Sequence, residues 1–434
     1  MLAKHGVQGI SIALLAPFGD GGDSAIRVQT AGMADVRSKT PMADSTLLQL
    51  ASLSKPVATA FAIDYFASAG ISLDSPVLPL LEAAHALYRP QVAEGKPTEW
   101  ADKLTLRQLM DHTGLGMHYV NGVPFDEPFP PITDLLSGTK EKPAPYGYMS
   151  LEMTKEPGTA FGYSGGGFLL LQHLLECREK KPVAEIMAPF LRGCGTAVNL
   201  GMTFSHEPPA KQIATGYYDD GKPVPHGRKN FPPLSAGALG SAAALADWLR
   251  QLSLAYHRPQ GCGSVSHDAA RAMLTPSAKG DLGSEDFMSA AMGVGMFVFD
   301  AVSTSGDDSQ PSRWMLHQAA NDGFRGVLLV CFDGPDAAQG PRGFVVLANG
   351  DNAAVNLFAT VLRALLTSEA AFSPPLRGLD WSKIPRLEDF STEGMKQEEI
   401  VNLGLKELVL AAFVKPENGP VISASPASKR LRKQ

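Results

Sequence analysis

The sequence predicts an α/β protein of the α+β kind, an antiparallel sheet flanked by helices plus a mainly helical lobe. Three observations predict it. Apolar, β-branched segments gather near both ends of the chain, at residues 8–16 and 25–32 and again beyond residue 288. Helical spacing and Pro- and Gly-punctuated loops fill the interval between them. Short turns such as Gly334-Pro335-Asp336 and Gly340-Pro341 separate the later strands and suit an antiparallel meander. The simplest path brings residues 1–70 and 288–368 into one sheet unit, with 71–287 as a helical and loop lobe over it. Residues 369–434 form a C-terminal extension whose last stretch, PENGPVISASPASKRLRKQ, reads as a mobile tail.

Taken in order, VQGISIALL and Ala25–Gly32 form a hairpin across the turn Gly19–Gly22. KPVATAFAIDYFASAG has apolar residues at helical spacing and stops at Gly70, a C-cap. Leu106–Met110 and Gly167–Glu176 are the clearest helices of the middle, and Ala242–Leu254 is a patterned helix ending before Tyr256. Strands follow at Gly293–Phe299, Arg313–Gln318, Phe324–Phe332 and Gly343–Asn349, and Asn352–Thr367 closes with a helix of good formers.

Composition narrows the classes. Of the 434 residues, 44% are hydrophobic and 19% charged, which rules out a wholly disordered chain. The formal charge of −6 gives no whole-molecule reason to bind nucleic acid or an anionic membrane. Cys177, Cys194, Cys262 and Cys331 are widely spaced, with no metal-ligand rhythm and no disulfide framework, and Cys331 lies in an apolar run as a buried hydrophobe. His112 and His118 lack a third ligand at useful spacing, so neither metal nor cofactor is expected. No apolar run reaches about 18 residues, and MLAKHGVQGISIALL reads as a first strand rather than a signal peptide, which makes an intracellular location the default. Trp100, Trp248, Trp314 and Trp381 read as packing residues, Trp314 with a place near the cleft. Oligomeric state is left open.

Three local patterns carry chemistry. Ser52-Leu53-Ser54-Lys55 opens a helix, and positions i and i+3 share a face, so the Lys55 ammonium reaches the Ser52 hydroxyl. The helix N-terminus favours an alkoxide there, Pro56 falls in the first turn, and Ser54 is a bystander. Tyr163, in Gly162-Tyr163-Ser164-Gly165-Gly166-Gly167, sits at a Gly-rich turn into a helix. A neighbouring lysine cation favours its phenolate and makes it a proton acceptor for Ser52; the plainer alternative is a core aromatic at a lobe junction. His317-Gln318-Ala319-Ala320 ends a strand; its small residues let the Ala320 N–H join that of Ser52 as an oxyanion hole, and His317 can orient a substrate carboxylate or ester oxygen. Each pattern alone also arises by chance.

Together and in this order, ASLSK, GTAFGYSGGGFLLLQHLLE and HQAANDGFRG resemble the serine β-lactamase-related superfamily. Within it the chain is similar to class C β-lactamase-like esterases and D-amino-acid-peptide hydrolases of the penicillin-binding-protein type. LTLRQLMDHTGLG, ATGYYDDGKPVP and SAGALGSAAALADWLRQL extend the resemblance over roughly residues 6–368. It implies a β-lactamase/transpeptidase-like fold with the cleft between sheet and helical lobe. It implies Ser52 as the acylated nucleophile, Lys55 as its partner, and Tyr163 as general base or sharing that task with Lys55. Ala320 stands in the oxyanion position, with His317, Ala319 and Gly165 on the substrate side. Two departures weaken a β-lactamase reading: Gly165 stands where the family usually has Asn, and His317 where it usually has Lys. Ala319 replaces a usual Gly, adding a methyl that narrows the cleft or pushes the substrate outward, and it weakens that reading as well. The expected activity is serine hydrolysis through an acyl-enzyme, on a small-molecule carboxylic ester first. Acyl transfer, D-amino-acid peptide cleavage or β-lactam hydrolysis on the same site are the alternatives, and a non-catalytic binding descendant is a further one.

Overall fold

The computed structural model describes residues 2–16, 25–137, 145–149, 151–193, 201–208, 212–277, 282–288, 290–302 and 311–367. The expected Gly19–Gly22 turn, Cys194, Trp381 and the 369–434 extension lie outside the described residues.

Eight strands form the main sheet: β1 Gly9–Ala16, β2 Ala25–Asp35, β3 Thr40–Pro41, β4 Ala291–Met292, β5 Phe297–Ala301, β6 Ser312–Asn321, β7 Phe324–Asp333 and β8 Arg342–Ala348. Their spatial order is β4-β5-β6-β7-β8-β1-β2-β3, every neighbour antiparallel. β1 is therefore central: Ile10 pairs with Ala348 of β8 on one side and with Ala31 of β2 on the other. Being flanked on both edges and covered on both faces, it is buried at nearly every position instead of alternating. β7 and β8 carry the continuous apolar runs Val327–Phe332 and Phe344–Ala348 for the same reason.

One face carries α5 Asn352–Thr367, with Leu357, Phe358 and Val361 among the buried side chains against Ile10, Leu14, Leu329 and Val346. The other carries α3 Ala242–His257, packed on β1, β2 and β8. α3 runs past its expected end and includes Tyr256. The apolar side that includes Leu245, Leu249 and Leu252 joins the core of the sheet, and the same cluster continues without a break into the helices of the middle segment. Behind it lie α1 Ser54–Ser68, α2 Gly165–Glu179 and α4 His267–Leu274. Gly70 ends α1 with φ +69°, as its place after the last helical turn requires. Trp314 is not at the cleft: it is buried, stacked on Phe299 at 6.3 Å between ring centroids. Cys331 is buried as expected, and no helix of the described residues is long and apolar enough to cross a membrane.

The glycines of α2 have a packing cause. A Cβ at Gly167 would lie 2.3 Å from the Leu109 carbonyl oxygen, and one at Gly166 would strike the Leu151 side chain at 2.0 Å. The helix start thus sits directly on the Leu106–Met110 helix, itself begun by a capping box of Thr105 and Gln108. Backbone cannot step aside as a side-chain end can, so Gly167→Ala should cost about 1–3 kcal/mol. Urea denaturation would read this as a lower midpoint; an unchanged midpoint would refute the contact.

Candidate active site

Ser52 lies in a short 3-10 turn, Ala51–Leu53, directly ahead of α1, which begins at Ser54. Ala51 has φ +46°, a left-handed conformation costly for a residue with a Cβ, and this kink turns the following serine outward. Ser54 is not idle: its buried hydroxyl accepts from the Ala238 N–H at 3.1 Å and ties α1 to the segment that follows Gly237. The residues just before Ala238, Pro233–Gly237, form a single π-helical turn that no sequence pattern marked as part of the site.

Lys55 is 2% exposed. Its Nζ donates to Ser52 Oγ at 3.2 Å and to the Ser235 carbonyl at 2.7 Å, and it stands 4.9 Å from the centre of the Tyr163 ring. Among the described residues it has no carboxylate partner. Burial pushes its pKa from the ordinary 10.5 down to about 7. Ser235 in turn donates its hydroxyl to the Gly165 carbonyl at 2.8 Å, joining the π turn to the start of α2.

Tyr163 precedes α2, whose N-cap is Ser164, with its Oγ accepting from the Gly167 N–H. Its hydroxyl hydrogen-bonds to Ser52, and burial raises its pKa well above the tyrosine range, outweighing that bond. The expectation of a lysine-stabilised phenolate is therefore reversed. Desolvation penalises both charged forms, and it is the lysine that comes into the neutral range.

His317 lies within β6, not at its end, since the strand continues to Asn321. β5 pairs with β6 only as far as Leu316, opposite Phe297, so among the described residues no strand covers the outer edge of His317–Asn321. The Ser52 turn lies against this stretch. A two-residue turn, Asp322-Gly323, joins Asn321 to its partner Phe324. Ladder bonds alternate from that closing pair, which sends the N–H of Ala320 away from β7 toward the uncovered edge. The methyl of Ala319 does not narrow the cleft: it is buried in the core beside Leu53, and Gly326 stands directly opposite, where a Cβ would meet it at 3.3 Å. Asn321 fixes the strand end by donating to Gln49 Oε1 and to the Ala236 carbonyl.

The His317 ring is neutral. Burial, and then the Lys55 charge, push its pKa down to about 3. Nδ1 lies 2.9 Å from the Gln318 carbonyl, which only accepts, so Nδ1 carries the proton and Nε2 is an acceptor. Such a ring offers a substrate carboxylate no positive charge, while it lines the cavity together with Ser52.

These groups meet at a cavity of about 630 Å³ lined by Ser52, Tyr163 and His317–Asp322 on the catalytic side. The far wall is Tyr119, Val120, Tyr146, Phe231, Met288 and Phe297, mostly apolar, with Lys229 and Asp322 paired at 3.3 Å on its rim. Gly165 is not part of the lining; a Cβ there would meet Val120 Cγ1 at 2.8 Å. Tyr119, Phe231, Tyr146 in the 3-10 turn Pro145–Gly147 and Lys229 in the short strand Lys229–Asn230 carry no motif that sequence could show. No three His, Cys, Asp or Glu side chains group as metal ligands among the described residues.

A mixed sheet-and-helix fold with a serine, a buried lysine and a tyrosine at its cleft defines a serine hydrolase of β-lactamase fold. The chain belongs to the Beta-lactamase family, whose model matches residues 2–367. No curated protein matches it significantly. Among solved structures it is similar to D-alanine carboxypeptidase AmpC from Burkholderia cenocepacia, at 18% identity over 81% of this chain and 90% of that one, TM-score 0.57. It is also similar to a penicillin-binding protein from Bacillus halodurans, at 19% identity over 83% and 97%, TM-score 0.56. D-amino acid amidase from Ochrobactrum anthropi SV3 matches at 18% identity over 80% and 87%, TM-score 0.52. At these identities the likeness is one of fold.

The depressed lysine has a consequence for stability. Between about pH 7 and 10.5 the unfolded chain binds a proton at residue 55 that the folded chain does not. Wild-type stability therefore rises with pH through this window, and the deficit is complete below it. Lys55→Met should be more stable than wild type by about 2–5 kcal/mol at pH 6, with the gap closing toward pH 10. Denaturant midpoints at the two pH values measure it; a gap independent of pH would refute the shift.

Proposed function

We propose that the protein hydrolyses a carboxylic ester through an acyl-enzyme on Ser52. The observation that carries this is the buried Lys55, bonded to Ser52 with no carboxylate partner among the described residues and brought to about 7, so that its neutral amine is available near physiological pH. With Ser235 holding one of its hydrogens, the neutral amine takes the Ser52 proton as Oγ attacks the carbonyl carbon. The Tyr163 hydroxyl, kept as a phenol, donates to the departing oxygen and is reprotonated from Lys55. The developing oxyanion rests on the N–H groups of Ser52 and Ala320. Water repeats the sequence to release the acid.

An ester is favoured over a peptide or β-lactam by what the site lacks. Val120 fills the space where a side chain at position 165 would begin, so no amide arm reaches the substrate there. His317 supplies no charge, and Lys229 is already paired with Asp322. Acyl transfer would use the same acyl-enzyme with an alcohol or amine in place of water.

A fluorophosphonate should add once, at Ser52, by intact mass, and not at all to Ser52→Ala; labelling elsewhere would move the nucleophile. With an aryl ester, kcat/KM should rise with pH through a pKa near 7 as Lys55 loses its proton, and Tyr163→Phe should lower kcat by about 10²-fold. A flat profile from pH 6 to 8 would remove Lys55 from the base role. Faster turnover of a D-amino acid amide or a cephalosporin than of any ester would overturn the substrate class.

A further inference from the structure

Tyr163 is held by a residue outside this proton path. His112 follows the short helix Leu106–Met110 and has φ +62°, a left-handed conformation rarely adopted by a residue of its size. The turn is locked on either side: Asp111 Oδ1 accepts from the Thr113 N–H and hydroxyl, and the Thr113 carbonyl accepts from the Gly158 N–H. So set, His112 meets the Gly162–Ser164 segment twice. Its carbonyl accepts from the Gly162 N–H at 2.8 Å, and its Nδ1 accepts from the Ser164 N–H at 3.1 Å. Between these two bonds the imidazole lies against the phenol of Tyr163, ring centroids 4.4 Å apart and planes 38° from parallel. Phe161 and Phe168 hold the imidazole from other sides, at 5.9 and 5.8 Å.

We propose that His112 is a positioning residue for proton transfer, gripping the backbone on both sides of Tyr163 while its ring sets the plane of the phenol toward Ser52. The inference rests on the reading that Tyr163 carries the proton. The grip requires a neutral ring, because a protonated Nδ1 cannot accept from Ser164. Burial, then the Lys55 charge and then His317, hold His112 well below the ordinary histidine range, so the grip is retained across the working pH. The tautomer follows as well: Nδ1 accepts, so the proton is on Nε2, which is buried and has no hydrogen-bond partner among the described residues. A histidine serving only to fill space would gain nothing from burying that N–H, whereas a flat ring with one acceptor is what the grip needs.

The ring and the grip separate by substitution. His112→Phe keeps an aromatic face and loses the acceptor for Ser164. His112→Asn keeps an acceptor near the Nδ1 position and tolerates positive φ, but loses the face. In full-length protein acting on an aryl ester, His112→Phe should lower kcat about 10-fold or more with KM within about 3-fold, since misplacement of a proton donor acts on the chemical step. His112→Asn should fall between His112→Phe and wild type. In a Tyr163→Phe background both substitutions should cost less than about 3-fold further, because residues acting as one unit are not additive. A loss of equal size in both backgrounds overturns the proposal, as does a harmless His112→Phe. Should His112→Phe not fold, the same comparison with His112→Asn decides. If Tyr163→Phe itself turns over at the wild-type rate, the proposal falls with the role of Tyr163, while fluorophosphonate labelling of Ser52 still reports separately on the acyl-enzyme.

Discussion

The site depends on an ammonium group placed where it cannot stay comfortably charged. Bringing a lysine from 10.5 to about 7 amounts to about 5 kcal/mol of differential stabilisation, comparable to the whole stability of a small domain. Among the described residues no carboxylate offsets it. The carbonyl of Ser235 accepts one hydrogen, and His112 and His317 are neutral, each held so in part by the lysine's own charge. The surrounding packing supplies the compensation: two layers of buried side chains on either face of an eight-stranded sheet, with α1 and α2 enclosed on most of their surfaces. The large core makes the reactive amine affordable.

That dependence explains which parts of the molecule were legible in the sequence. The terminal hairpin, the meander after residue 288 and the helix from Asn352 to Thr367 follow from period and turn chemistry, which are local. The Ser52–Lys55 spacing is local too, and the structure brings the two together, though through a 3-10 turn and the first residues of α1 rather than along one continuous helix. What could not be read was burial. Without it a lysine beside a tyrosine implies a phenolate; with it, the tyrosine keeps its proton and the lysine loses its own. The Ala319 methyl was misread for a related reason, since the room made for it by Gly326 comes from the neighbouring strand. Ser235 and His112 are single atoms' worth of chemistry on loops far away in sequence, and no periodic pattern marks them.

The strand opposite the nucleophile is supported from behind by an equally buried cation that, unlike Lys55, has a carboxylate partner. Arg325 donates to the carbonyls of Asn321 and Phe324, to Asn352 Oδ1 and to the Asp351 carboxylate. It thereby ties the turn after Ala320 to the start of α5, where Asp219 accepts from the Ala353 N–H. Burial raises Asp351 to about 6 against the pull of Arg325, so this tether carries a full charge pair only above that value. Lysine and arginine divide the work by chemistry: the guanidinium cannot give up its proton and serves as a brace, the amine can and serves as a base.

The central position of β1 has a meaning for how the protein is made. Ile10 and its partner Ala348 are made 338 positions apart. At about 5–20 residues per second, β1 waits roughly 20–70 s for the strand that completes it. During that time the sheet's middle is an open edge on a nascent chain, rich in apolar side chains and free main-chain groups. The cleft that houses Ser52 cannot exist earlier, because β6 itself is made only shortly before. Acquisition of the reactive amine thus waits for β6 to β8, and the long interval is when this chain most needs protection from its neighbours.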